Sequence, residues 1–354
     1  MHATSLLQPP APSPHSSLIS HNLSLISSLT AIYFSGLSAL FNPEQFQGSG
    51  KSRRYFEGWY FKVVNASESE AFAIIPGIAI DESGQKQAFI QVLDGKRQTA
   101  IYHKFDFDNF HSKKNEFNIR IGNNTFTQKQ IELDLPGISG RLEFSSFVPW
   151  PKPWYSPGIM GPYAFVPFLE CYHGIVSMDH VINGQLKVSD HSANFTGGRG
   201  YTEKDWGRSF PSAYVWMQSN HFSQPGISVK ASVAKIPWLG SSFVGFIAGI
   251  WLHNRLIRFT TYNGSSLKKL QIDPLRVELI LENRHYILSI LACREAATSL
   301  TSPIQGMMDG RIEESMTSTL DVVLTDRKTG KIILRDRGRN TGLEVAGVIN
   351  QILV

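Results

Sequence analysis

The side chains best able to move a proton lie in two short segments of this 354-residue chain. The first, Arg53-Arg54-Tyr55-Phe56-Glu57-Gly58-Trp59-Tyr60-Phe61-Lys62, sets a single carboxylate among aromatic rings. On a strand, Tyr55, Glu57, Trp59 and Phe61 share one face. A carboxylate there is either paired, with Arg53 and Arg54 the nearest cations, or held neutral by loss of hydration. The second segment, Gly197-Gly198-Arg199-Gly200-Tyr201-Thr202-Glu203-Lys204-Asp205-Trp206-Gly207-Arg208-Ser209-Phe210-Pro211, gathers Glu203, Lys204, Asp205 and Arg208 beside Trp206. Its glycines permit tight backbone approach. Two readings of this cluster stand side by side: an ion-paired closure between strands, or a carboxylate site with a perturbed pKa. It is not a phosphate loop, because the Lys-Ser/Thr ending and the strand-to-helix context are missing.

Directly after it, Tyr214, Trp216, Gln218 and Asn220 fall on one face of a strand-like run from Ser212 to Phe222. Turned inward, the rings line an apolar tunnel and the amides hold a substrate hydroxyl; turned outward, the same residues form a polar surface strand. His173, His180 and His221 show no metal-ligand spacing with a carboxylate or cysteine, so they read as hydrogen-bonding histidines and no metal is expected. No Gly-x-Ser-x-Gly elbow supports a serine hydrolase. The two cysteines, Cys171 and Cys293, form no disulfide framework. The net charge of +5 is spread without a basic run, which excludes nucleic acid as a partner but is compatible with peripheral contact to an anionic membrane.

The elements that must position these residues are strands. Short apolar runs recur at Ala71–Ile80, Gln87–Leu93, Ile138–Phe144, Gln185–Val188, Ile227–Ile236, Arg255–Tyr262, Val277–Leu281, Tyr286–Leu291, Leu320–Leu324 and Lys331–Leu334. Phe117, Ile119 and Ile121, a turn at Gly122-Asn123-Asn124, and Ile131, Leu133 and Leu135 predict a hairpin. Regular short strands with turns between them predict an all-β fold of barrels, which leave no open sheet edges. The Pro- and aromatic-rich stretch from Pro149 to Pro167 suits neither helix nor inner strand, and predicts a crossing loop that walls a cavity or plugs the space between domains. A strand reaching Asn65 with a following run to Pro76 is echoed by Tyr214–Asn220 and the run to Pro237, a weak sign of tandem duplication. The expected domains are 42–200 and 201–354. Residues 1–43 hold no Lys, Arg, Asp or Glu, so 1–41 is set apart as a Ser/Leu-rich segment that is a targeting sequence, an interfacial helix or a packed helix.

Tyr55 through Lys62, the run from Tyr201 through Glu203-Lys204-Asp205-Trp206-Gly207 to Phe210-Pro211, and the later Trp216, Gln218 and Asn220 resemble the signature segments of the tocopherol cyclase family. The resemblance runs from about Asn42 to the C-terminus. It implies two tandem calycin or lipocalin-like β-barrels, an isomerase-class intramolecular lyase that closes a prenylated hydroquinone to a chromanol, a small hydrophobic prenylquinol as partner, and no cofactor. The plant and cyanobacterial cyclases carry Asn where this chain has Asp205, and lack this form of the segment from Pro157 to Gly174; the chain is more similar to the bacterial tocopherol cyclase-like branch. By the same resemblance the location is membrane-associated or cytoplasmic, or the plastid in a photosynthetic eukaryote. The implied catalytic carboxylates are Glu203, Asp205 and Glu57, and the implied substrate contacts are Trp59, Tyr201, Trp206, Tyr214, Trp216, Gln218, Asn220 and His173. Glu203 is the expected proton donor. Asp205 sits where the family varies, Glu57 lies near two arginines, and Lys204 points to the opposite strand face from Glu203. The rival readings are a related isoprenoid hydratase or lyase, and a non-catalytic prenyl-lipid carrier.

Overall fold

Alternating apolar residues along short segments separated by Gly, Asn and Asp turns fold into two antiparallel sheets in the computed structural model, which describes residues 40–354. The segment 1–41, set apart as a targeting sequence, an interfacial helix or a packed helix, falls almost wholly outside the described residues. The first sheet contains β1 (Tyr55–Val64), β2 (Ala71–Ile80), β3 (Lys86–Asp94), β4 (Thr99–Asp106), β5 (Phe110–Ser112), β6 (Asn118–Ile121), β7 (Asn124–Thr127), β8 (Gln130–Leu135), β9 (Ile138–Ser145), β10 (Cys171–Val188), β11 (His191–Asn194) and β12 (Gly198–Gly207). The second contains β13 (Ala213–Ser219), β14 (Ser228–Trp238), β15 (Ser241–Leu252), β16 (Arg255–Thr260), β17 (Ser266–Ile272), β18 (Arg276–Glu282), β19 (Tyr286–Cys293), β20 (Thr298–Ile304), β21 (Met307–Asp326) and β22 (Ile332–Gly347). The all-β reading holds.

Each sheet wraps one face around its own core: Trp59, Phe61, Phe72, Ile119, Phe126 and Phe195 in the first, Val215, Met217, Phe259, Leu279, Leu288 and Val322 in the second. The ladder of the first sheet runs from β4 to β5, and that of the second from β16 to β17; among the described residues no ladder joins the two ends of either path. Both sheets open with a four-strand meander, β1 to β4 and β13 to β16, and in both the last strand returns to pair with the first, β12 with β1 and β22 with β13. The echo between the segments ending at Asn65 and Asn220 thus falls on two equivalent opening strands.

Two sequence expectations need correction. A boundary between residues 200 and 201 would cut β12, a central strand of the first sheet; the chain changes sheet in residues 208–212, and both sheets belong to one unit, Pro43–Val354. The hairpin expected to join Phe117–Ile121 to Ile131–Leu135 is instead β6 with β7, because Gly122, at φ 58°, allows a tight turn and leaves Asn124–Thr127 free to form a strand of its own. Leu135 and its neighbours pair with β9.

A third apolar cluster lies between the sheets, where Tyr60, Val64, Leu93 and Tyr201 of the first meet Tyr214, Trp216, Leu300 and Met316 of the second. The loop from Pro149 to Pro167 crosses here and contributes Trp150, Ile159 and Met160. The loop's aromatics divide: Trp150 is 1% exposed, whereas Trp154 and Tyr155 are 81% and 60% exposed, so burial is not a common fate of these rings. The Trp150 ring lies where a side chain at Gly249 of β15 would stand, 2.5 Å from an ideal Cβ. Trp150→Ala is therefore expected to cost about 3–5 kcal/mol by opening a cavity between the sheets, and Trp154→Ala less than about 0.5 kcal/mol. Urea unfolding of both variants is the check, and equal costs would remove the loop's role as a keystone.

Candidate functional site

The two motif segments of the sequence are neighbouring strands. β1 and β12 pair antiparallel with Glu57 opposite Trp206, Trp59 opposite Lys204 and Tyr60 opposite Glu203. Alternation then sorts their side chains into two environments. On the face toward the first core, Lys204 Nζ lies 2.5 Å from Glu57 Oε1, with both side chains fully buried. Glu57 also accepts Tyr55 Oη at 2.7 Å and the Gln47 amide at 2.8 Å. The Lys204 ammonium stands 4.7 Å from the Trp59 ring centre and 4.9 Å from that of Trp206, and its third partner is the Gln45 carbonyl. Burial pushes Lys204 down while Glu57 pulls it back up. The expected arginine partner of Glu57 is absent from this arrangement: Arg54 pairs with Glu82 instead, and the lysine from the second motif takes its place. Glu57, Trp59 and Trp206, three expected site residues, thus build the interior of the first sheet and do not line the cavity described next.

On the opposite face the two sheets enclose a cavity of about 210 Å³. It exceeds the roughly 150 Å³ apolar hole that takes up benzene. It lies between the sheets, outside both barrel-like cores. Its walls carry Phe56, Tyr60, Glu203 and Asp205 from the first sheet, His173 from β10, Tyr214, Trp216 and Lys230 from the second, and Met160 and Tyr163 from the crossing loop. Tyr60 and Trp216 meet edge to face at 5.5 Å. Glu203 is 4% exposed, and both its donors, Tyr201 Oη and Trp216 Nε1 at 3.1 Å, point at Oε2. His173 Nε2 is 3.4 Å from the same oxygen, while His173 Nδ1 is 2.7 Å from Asp205 Oδ1. Burial is the chief cause that raises the Glu203 pKa above the usual carboxylate range, and the nearby His173 opposes it.

The chain Asp205–His173–Glu203 is assembled across β10 and β12, where His173 is the register partner of Asp205. Linear spacing could not reveal it. These three are also the one set among the described residues whose potential metal-ligand atoms converge, within 4.8 Å of one another. His173 Nδ1 is engaged by Asp205, whereas His173 Nε2, 3.4 Å from Glu203 Oε2, has no hydrogen-bond partner in the protein.

Other expected contacts lie elsewhere. Tyr201 sits beneath Glu203 as its donor and is fully buried. Gln218 accepts Lys62 Nζ at 2.8 Å, and Asn220 donates to Asp179 at 3.0 Å and to the Gly200 carbonyl at 2.8 Å. Both amides tie the sheets together beyond the cavity, so neither is placed to hold a substrate head group; only Tyr214 and Trp216 of that strand face line it. Sequence reading missed Lys230, Glu314 and Glu344. The last two sit on β21 and β22 in stretches, Arg311-Ile312-Glu313-Glu314-Ser315 and Leu343-Glu344-Val345, that the strand survey did not reach. The available signal was Glu344 enclosed by apolar neighbours.

The tocopherol cyclase-like family matches residues 141–347, more than half of the chain. The protein belongs to this family. The tocopherol cyclase-like match begins after the first motif but includes the second. Tocopherol cyclase, chloroplastic, from Zea mays is 23% identical over 362 residues, covering 84% of this chain and 76% of the maize protein. Among solved structures, CghA with Sch210972 superposes with a TM-score of 0.52 at 12% identity, covering 83% of this chain and 89% of CghA. An AttH from Nitrosomonas europaea gives 0.51 at 12% identity, with 83% and 93% covered. These structural likenesses establish a common fold of two packed antiparallel sheets. No helix among the described residues is long and apolar enough to cross a membrane.

The buried Glu57–Lys204 pair makes a stability prediction. Glu57→Gln leaves the lysine without its charge partner and is expected to destabilise the fold by about 3–5 kcal/mol, whereas Glu57→Met combined with Lys204→Met recovers most of that loss. Urea midpoints of the single and double variants decide it; a single variant within about 1 kcal/mol of the parent would contradict the pair's structural role.

Proposed function

We propose that this tocopherol cyclase-like protein is an enzyme that closes a prenylated hydroquinone to a chromanol, with Glu203 protonating the alkene. The observation that carries the reading is the setting of Glu203: a buried carboxyl with a raised pKa on an aromatic cavity wall, with both donors on Oε2, so that Oε1 carries the proton. A carboxyl whose pKa is raised by burial holds its proton further up the pH scale and is able to act as an acid. Protonation of a trisubstituted alkene creates a tertiary cation, and the faces of Tyr60, Tyr214 and Trp216 stabilise it by roughly 0.5–2 kcal/mol each. The enclosed walls hold the phenol oxygen near that carbon and keep water from competing.

His173 and Asp205 then serve Glu203. Asp205 accepts from His173 Nδ1 and fixes the ring, leaving Nε2 turned toward Glu203, where it takes up a proton from solvent and passes it to the carboxylate after each turnover. Acceptance from an imidazole N–H is a task that an Asn carbonyl also performs. That accounts for the Asp/Asn variation implied by the family resemblance at this position. The substrate's tail takes the apolar side of the cavity near Met160 and Tyr163.

Glu203→Gln is expected to keep the fold and substrate binding and to lower turnover by about 10²-fold or more. Because burial raises the Glu203 pKa, the high-pH limb of wild-type activity should lie above the ordinary carboxylate range, with activity falling as pH rises through the raised value. Incubation with a panel of prenylated hydroquinones, followed by product mass and chromatography, is the test. A cyclised product has the mass of the substrate, while a product heavier by one water indicates a hydratase. Recovery of unchanged substrate from every incubation, despite tight binding, indicates a carrier.

A further inference from the structure

Two carboxylates in the cavity are left without a task by the proton delivery described above. Glu314 and Glu344 are register partners on β21 and β22 and line the wall contributed by the second sheet. Tyr60 Oη donates to Glu314 Oε1 at 2.5 Å, and Tyr214 Oη donates to Glu344 Oε2 at 2.7 Å. Glu314 is 1% exposed, yet its Oε2 has no hydrogen-bond partner in the protein. Buried acceptors are rarely left unmet. Lys62, whose charge acts on Glu314, does not meet it: its Nζ is committed to both the main-chain and side-chain oxygens of Gln218. The backbone also leaves space for the arrangement. A side chain at Gly342 would stand 2.6 Å from the Trp216 ring and 3.5 Å from Glu314 Oε1, so the glycine lets the indole and the carboxylate reach the cavity together.

We propose that Glu314 is the site that binds the phenol and takes its proton. Its Oε2 accepts the hydrogen of a head-group hydroxyl and receives that proton as the phenol oxygen bonds to carbon. The role rests on the ring-closure reading above. In the step, Glu203 gives its proton to the alkene carbon, the C–O bond forms, the phenolic O–H breaks, and its proton passes to Glu314. One proton is given and one received, so none is consumed, and exchange with solvent restores both groups.

The charges around the site suit a base. Burial, reinforced by Glu203, pushes Glu314 up to about 7, with Tyr60 and Lys62 of β1 opposing it. Burial and the adjacent Glu314 hold Glu344 well above the usual carboxylate range.

Calorimetric titration with trimethylhydroquinone and with its dimethyl ether, which keeps the ring but has no phenolic hydrogen, tests the binding half. The full-length protein is expected to prefer the hydroquinone by about tenfold or more. In Glu314→Gln, Tyr60 holds the amide oxygen at the Oε1 position and places the NH₂ where Oε2 was, so the acceptor becomes a donor and the preference should vanish. The kinetic half is the pH profile of kcat/KM on a cyclised substrate. The wild type should rise through about pH 7 as Glu314 ionises, and Glu314→Gln should lack that limb and turn over about 10²-fold more slowly. Tyr60→Phe removes a donor that favours the carboxylate, so it should move the limb to higher pH; it carries the test if Glu314→Gln does not fold. A hydroquinone preference that survives in Glu314→Gln, or a limb unmoved by Tyr60→Phe, overturns the assignment. If the wild type cyclises nothing in the panel, the reaction itself is misassigned, and the titrations still decide whether Glu314 binds a phenol.

Discussion

A lysine and a glutamate without solvent contact, Lys204 and Glu57, hold β1 and β12 in one register. The side-chain period of a strand is two, so a slip of one residue would exchange every group between the two faces of this ladder. Lys204 and Trp206 would move into the cavity, and Glu203 would enter the first core among Trp59 and Phe61 with no cation to meet it. A buried ion pair is weak evidence for net stability but strong evidence for a specified arrangement, because breaking it strands a charge. The register that satisfies Lys204 is the one that leaves Glu203 facing the space between the sheets.

That space is a product of both halves of the chain. The first sheet supplies the Asp205–His173–Glu203 chain, and the second supplies Trp216, which donates to Glu203, together with Glu314 and Glu344. Equivalent strands are used on each side. Glu203 on β12 stands opposite Tyr60 on β1, and Glu344 on β22 stands opposite Trp216 on β13, so each returning strand places a glutamate beside an aromatic residue of its opening strand. The two hydrogen bonds Tyr60–Glu314 and Trp216–Glu203 cross from one sheet to the other. Polar contacts of this kind also seal the interface beyond the cavity, where Asn220 joins Asp179 to the Gly200 carbonyl and Lys62 meets Gln218. Burial at this interface is the chief cause of the raised carboxyl pKa values.

Local pattern was enough for much of this protein. Period-two alternation and turn residues placed six of the eight meander strands, missing β4 and β15, and the aromatic and charged composition of Tyr55–Lys62 and Tyr201–Pro211 marked both segments as special, because residue type and nearest-neighbour periodicity are local properties. The same alternation correctly separated Glu203 from Lys204. What the sequence could not carry was partnership across the fold. Glu57 meets a lysine 147 positions away, not the arginines beside it; His173 meets Asp205 and Glu203 only because β10 pairs with β12; Gln218 and Asn220 share a face with Trp216 but lie past the cavity's end. Which of two strand faces becomes core and which becomes cavity depends on what packs against each, and that is decided by long-range closure of two sheets against one another, a free energy to which no single segment of the chain has access.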